Sequence, residues 1–406
     1  MALSFKLPVD HAAFSESAVQ VEMPGRNDAF SFWKLPEQWR TALEPTIGPS
    51  EAAAERLLLE QYLPEENRHP PTAMRAYYYV KRLIPPSLRH RLNSAAIRAR
   101  TPLEFPSWPC ESALVELRRD WVRQSLEVHG LTDGWHIGFW PDNARCCIVL
   151  THDVESPKGF ERMEAMAEIE EQHGFRSAWN LPLAQYPIDW RRVAQLRARG
   201  FEFGAHGLSH DGRLFRSHRD FAELAPILER LAADHDLRGF RAPSTLRDPR
   251  AIATMDFDFD SSFSDTDLFE PQPGGTCSLF PFNLSRLIEL PYTLPQDHTL
   301  IHLLRRAPLP VWTTKAKWIA SLGGMILTLT HPDYCGDGAY LEAYRELLKR
   351  LGEIELAWRA LPSEAAAWWK QRTQLQLHVE NNRPLITGPG AARATAVRLS
   401  DQPLMN

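Results

Sequence analysis

The sequence predicts an α/β protein built on a parallel sheet of barrel or near-barrel form, and three observations carry that prediction. From Asp142 onward, short apolar runs alternate with segments of helical period for about 220 residues, the pattern of repeated strand–helix units. Polar and charged residues collect where the apolar runs end, the edge at which parallel α/β folds gather their sites. The 406 residues, 44 % hydrophobic and 24 % charged, supply an ordinary globular core.

In chain order, residues 51–62 read as a short amphipathic helix, begun after Pro49-Ser50 and ended by Pro64. Residues 67–103 hold no acid but eight bases, with Tyr77, Tyr78 and Tyr79 among them. Such a segment suits an anionic membrane surface or a lipid-linked substrate, or else a basic face packed on the acidic main domain. Residues 146–151 (CCIVLT) form the first buried strand, followed by a helix at 159–174. Strand 176–180, helix 190–199, strand 201–205, helix 218–234 and strand 238–242 continue the alternation. A short helix at 249–255 precedes strand 257–261, and further strands fall at 287–290 and 325–330. Helices near 313–320 and 340–351 flank the last of these. A Trp-bearing helix at 364–372 leads to a tail near 381–406 with no visible periodicity. The organisation expected is an N-terminal extension over 1–140, helical and Pro-rich, a barrel over 141–362, and a C-terminal helix with a flexible tail over 363–406.

Composition excludes several classes of function. With 46 Lys and Arg against 51 Asp and Glu, the net charge of −5 gives no electrostatic case for nucleic acid as partner. The five cysteines, at 110, 146, 147, 277 and 335, form no CxxC pair and no disulfide framework. That usage points to a reduced, intracellular setting. The N-terminus lacks the basic-then-apolar pattern of a signal peptide, and no apolar run approaches 18 residues, so a cytoplasmic protein is expected.

The chemistry sits at the strand ends. His206 and His210, four apart after the third strand, are placed by helical spacing on one face of a turn, where both imidazoles can reach one ion. A carboxylate from another strand would complete a His₂-carboxylate site with positions open. Asp153 and Glu155, two apart at the end of the first strand, point to one face of an extended chain, so one can bind metal while the other takes a proton. His152 then points the other way, as a packed histidine.

Taken together, the runs LTHDVE, HGLSH, FRAPS, DSS and LTLTH, in that order, resemble the polysaccharide deacetylases related to chitin and nodulation-factor deacetylases, carbohydrate esterase family four. The resemblance covers about half of the chain, residues 145–358, and implies a distorted (β/α) barrel of about seven parallel strands. It also implies metal-dependent hydrolysis of an acetyl group on a sugar. Carried over, Asp153 corresponds to the catalytic base, His206 and His210 to metal ligands, Arg241 to the arginine that orients the base, and His331 to the catalytic acid. The commoner motif has adjacent aspartates, but Val154 stands in the second place here. Glu155, one place later, is assigned as third ligand, with Asp153 as the alternative should Glu155 point away.

A second polar cluster, Asp265, Asp267 and Glu270 with Tyr292, Asp297 and His298, offers groups to bind sugar hydroxyls or to tune His331. Asp260 and Ser261 are expected to support the site. The expected function is therefore removal of acetyl from an N-acetylated amino sugar or glycan intermediate, including a lipid-linked one. One divalent transition metal, Zn²⁺ by default, would serve it, at the inner face of a membrane if residues 67–103 make that contact. Hydrolysis of another non-peptide C–N bond, or a catalytically silent glycan-binding barrel, are the alternatives.

Overall fold

The structure, a computed structural model, describes residues 27–64, 103–131, 133–334 and 338–402. The basic segment 67–103, apart from Leu103, lies outside the described residues, as does Cys335.

Thirteen strands follow in order among the described residues: β1 (Trp135–Ile137), β2 (Cys146–Asp153), β3 (Ser177–Leu181), β4 (Glu202–Ala205), β5 (Gly239–Phe240), β6 (Phe259–Asp260), β7 (Phe282–Leu284), β8 (Leu287–Glu289), β9 (Met325–Thr330), β10 (Ala357–Ala360), β11 (Gln376–Glu380), β12 (Arg383–Thr387) and β13 (Ala396–Arg398). Nine of them form one sheet, in which β9, β2, β3, β4, β5, β6 and β8 pair parallel, each with the next. The chain after β8 returns to β9, where the Thr293 and Leu294 amides both donate to the Leu327 carbonyl. The sheet thus curls into a distorted (β/α) barrel, as expected. Every residue of β2 is buried, because a parallel strand is covered by side chains within and helices without.

Two strands of this sheet, β7 and β10, have no sequence signal. β7 turns back antiparallel on β8, and β10 pairs parallel with Cys146–Val149, the half of β2 that β3 leaves free. β10 is a Trp- and Arg-bearing four-residue stretch without apolar alternation.

Two expectations are corrected. The first helix runs over Arg40–Leu58, through both Pro45 and Pro49, rather than starting after Pro49. Leu43, Ile47, Ala54, Leu57 and Leu58 bury one face of it, and tertiary packing outweighs the proline cost of ~3 kcal/mol. The tail after 381 is not aperiodic: β11 and β12 form a hairpin turned by Asn381 (φ 49°) and Asn382 (φ 62°), and β13 pairs with β1. Two consecutive Asn at positive φ are what a two-residue hairpin turn needs, so Asn381-Asn382 is the sequence signal of this hairpin.

Both flanking regions share the barrel's core. Asn27 exchanges two hydrogen bonds with the backbone of Asn283 on β7, and Tyr62 donates to the Gly275 carbonyl at 2.7 Å. In the helix Pro362–Gln374, Trp368 donates to the Phe139 carbonyl and Arg372 to those of Ile137 and Gly138. No helix among the described residues is long and apolar enough to cross a membrane.

Candidate active site

The site forms where the barrel strands end. Asp153 is the last residue of β2, His206 follows β4, Arg241 follows β5, and His331 follows β9. The strand ends therefore bring together groups that lie up to 178 positions apart in sequence.

His206 and His210 do come together, with ring centroids 5.6 Å apart, but not on a helical turn. Gly207 between them has φ +69°, and a Cβ there would sit 2.8 Å from Pro243, so the segment is a tight loop that a side chain at 207 would disrupt. This loop is fixed by Leu183 and Ala184, whose amides donate to the Gly207 and Leu208 carbonyls. Glu155, two residues beyond β2, completes a cluster in which one atom each of Glu155, His206 and His210 lie within 4.8 Å of one another.

The donor set fits a metal ion. His206 Nδ1 lies 3.0 Å from the Arg241 carbonyl, which can only accept, so the proton is on Nδ1 and Nε2 keeps its lone pair. That Nε2 is buried without a hydrogen-bond partner, an arrangement that is costly unless a Lewis acid meets it. Burial also holds the His206 pKa below its ordinary value, the direction a ligand needs. His210 Nε2 stands 2.7 Å from Glu155, whose side chain is 32 % exposed.

Asp153 lies beside this cluster, with Oδ2 3.8 Å from His206 Nε2. Its Oδ1 accepts from Asn180 on β3 at 2.9 Å and from Arg241 Nη1 at 3.3 Å. Burial pushes its pKa up, but His206, Arg241, His331 and the Asn180 bond together outweigh it and hold the carboxyl below its usual range. Arg241 is itself wholly buried and spends its remaining donors on scaffold: Nε on the Ser261 carbonyl and Nη2 on Ser261 Oγ, both at 2.7 Å, and Nη1 on Thr151 Oγ1 at 2.8 Å. Asp260 accepts from Ser262 Oγ, which in turn accepts from the Ala242 amide. The Asp-Ser-Ser run thus grips the Arg241 turn, in keeping with its expected supporting place.

Opposite lies His331, with Nε2 3.7 Å from Glu155 and Nδ1 2.6 Å from Asp297. Burial would lower its pKa, but Asp297, through charge and hydrogen bond, and Glu155 and Asp153 beyond it raise it to about 10. Both oxygens of Asp297 are occupied: Oδ1 by His331 and the His298 amide, Oδ2 by the His331 amide and the Tyr340 hydroxyl. The contacts of Asp297 thus run to His331, His298 and Tyr340. Tyr292, 1 % exposed, belongs to a buried network in which its hydroxyl meets Asp267 and Gln296, both at 3.4 Å. His298 is half-buried and stacks on Tyr334.

His152 does point away: its ring bridges Thr330 on β9 at 2.8 Å and Glu170 at 2.6 Å, stacked on Trp179. Sequence reasoning missed Asn180, a polar residue near the end of an apolar strand, and Asp333, two residues after His331. Asn180 carries the same strand-end signal as Asp153 and His331.

No family model and no curated protein matches the chain. The structure is similar to that of a putative polysaccharide deacetylase from Mycobacterium smegmatis, at 18 % identity and a TM-score of 0.44 over 57 % of this chain and 92 % of that one. It is also similar to those of Puue allantoinase and of a probable polysaccharide deacetylase from Pseudomonas aeruginosa, each at 14 % identity and a TM-score of 0.45, again over 57 % of this chain and 92 % of the other.

Proposed function

We propose that this chain is a metal-dependent hydrolase that removes the acetyl group from an N-acetylated amino sugar or a glycan intermediate. The observation that carries the proposal is the convergence, at the barrel's strand ends, of the Glu155–His206–His210 cluster with an arginine-held carboxylate on one side and a carboxylate-held imidazole on the other.

Glu155, His206 and His210 would hold one divalent transition ion, Zn²⁺ by default for this donor set. When bound, such an ion supplies Lewis acidity toward water and toward an amide carbonyl. Asp153, kept ionised by Arg241, takes a proton at Oδ2 as water attacks the acetyl carbon. His331, kept protonated by Asp297 on its Nδ1 side, presents Nε2 to the nitrogen that leaves and gives it the proton it needs as the C–N bond breaks. The base and the acid thus flank the ligand cluster, and the environment of each sets the opposite charge state at neutral pH. The buried, unpaired thiols of Cys146, Cys147 and Cys277 support an intracellular setting for this chemistry.

Acetate release from N-acetylated sugars by the Zn²⁺- or Co²⁺-loaded protein tests the proposal, with His206→Ala as control. Acetate formed by the wild type and lost in His206→Ala is the expected result. Metal binding without acetate from any sugar would transfer the proposal to another C–N bond, and a wild type that binds no metal would leave a glycan-binding barrel.

A further inference from the structure

Asp333 lies in the short turn Pro332–Tyr334 that follows β9, two residues beyond His331. Its side chain reaches across to the loop after β2. Oδ2 accepts the backbone N–H of Glu155 at 3.2 Å, and Oδ1 accepts the hydroxyl of Ser156. Ser156 in turn caps the helix Pro157–Gln172, its Oγ accepting from the Gly159 amide at 3.1 Å. Arg162 of that helix donates to the Asp333 carbonyl at 2.5 Å, so turn and helix hold each other at both ends of the residue.

The consequence falls on Glu155. β2 ends at Asp153, and the last bond to β3 is that of the Val154 amide to the Asn180 carbonyl, so no ladder reaches Glu155 to fix where its carboxylate goes. Its side chain is the most exposed of the three proposed ligands, at 32 % against 1 % for His206 and 11 % for His210. Its backbone is instead held by side chains, the amide by Asp333 and the carbonyl by Gln185 at 2.5 Å. The same Gln185 accepts the His210 amide at 2.6 Å, tying the second ligand to the first.

We propose that Asp333 is a positioning residue that holds Glu155 in its ligand position and couples the metal-binding loop to the turn carrying His331. This rests on the proposed metal site. Partners of this kind, one step removed from the ion, typically change metal affinity 10–100-fold when removed.

The test is Co²⁺ titration of the full chain, followed by visible absorption and by competition with a chromophoric chelator. Asp333→Ala should weaken Co²⁺ binding about tenfold. At saturation its d–d spectrum should move from that of wild type toward that of Glu155→Ala, because a lost carboxylate ligand changes the spectrum whereas loosened packing alone does not. Asp333→Asn keeps an acceptor for the Glu155 amide and should stay near wild type, and Ser156→Ala should fall between. Should Asp333→Ala fail to fold, Ser156→Ala carries the comparison, with Asp333→Asn as its near-wild-type reference. Equal affinity and spectrum across the folded variants would overturn the assignment of Asp333 and leave the metal site standing. A wild type that binds no Co²⁺ would overturn both.

Discussion

Arg241→Met separates the electrostatic role of Arg241 from the packing of its stem. The arginine is buried with every nitrogen in use, and methionine fills much of the stem's volume while removing all the donors. Ser261 Oγ and Thr151 Oγ1 keep bonds of their own, donated to the Leu290 and Thr328 carbonyls. The groups left short are the Ser261 carbonyl and the Asp153 carboxylate. At about 1–3 kcal/mol for each buried acceptor stripped of its donor, the fold should lose on the order of 3 kcal/mol, within the range for breaking a buried ion pair. A domain of ordinary stability, about 5–15 kcal/mol, survives that. Asp153 then loses one of the charges that offset its burial, and its pKa moves up, so the base spends more time protonated. Loss of a general base costs about 10²–10⁴ in rate. The assay is acetate release at pH 7.5 beside metal content by mass spectrometry. About one ion per chain with activity down at least 10²-fold is expected, and Arg241→Lys should recover part of it, since a lysine restores the charge without the fork. Metal content intact and activity within threefold of wild type would falsify this account of Arg241. Metal lost together with activity would instead make Asp153 a ligand.

Further outcomes follow from the same geometry. His206→Ala and Glu155→Ala should each purify with less than about a tenth of the wild-type metal, given four-coordinate preference and so few protein ligands; loss in His206→Ala alone would pass the third ligand to Asp153. Burial, with Arg372 nearby, lowers the His136 pKa from 6.5 to about 3 in the folded state. The folded protein binds fewer protons there than the unfolded chain, so this part of stability is present above about pH 6.5 and is lost as pH falls toward 3. At about 1.4 kcal/mol per pH unit, His136→Leu should be spared roughly 2 kcal/mol of the wild-type loss between pH 7.5 and pH 5 in urea melts. Parallel slopes in the two proteins would sink that assignment. If residues 67–103 meet an anionic surface, replacing Arg75, Lys81 and Arg82 by Glu should reduce sedimentation with phosphatidylserine vesicles by tenfold or more, at about 1 kcal/mol for each charge; unchanged sedimentation would dismiss the membrane contact.

Much of the site was legible because its chemistry sits at strand ends, and strand ends are marked twice in the sequence: by where an apolar run stops and by the polar type that follows. Asp153, His206, Arg241 and His331 all carry both marks. What stayed hidden depends on contacts between loops, which no local period records. Helical spacing is the sequence reason to pair His206 with His210, and the structure does not have it; the two rings come together because Gly207 takes a left-handed turn. Asp297 shows the same limit from the other side. Its type and place allow either a sugar contact or a hold on His331, and no local pattern records that the Tyr340 hydroxyl and the His331 amide both donate to its Oδ2. Asp333 is plainer still, since nothing in His-Pro-Asp-Tyr tells that its carboxylate crosses to the Glu155 amide. The fold repeats the pattern at larger scale: long buried strands such as β2 and β9 announced themselves, whereas β10, four residues of mixed character, is a strand because β2 leaves half an edge unpaired. An edge needing a partner is a property of the assembled sheet, and the sequence of the partner need not show it.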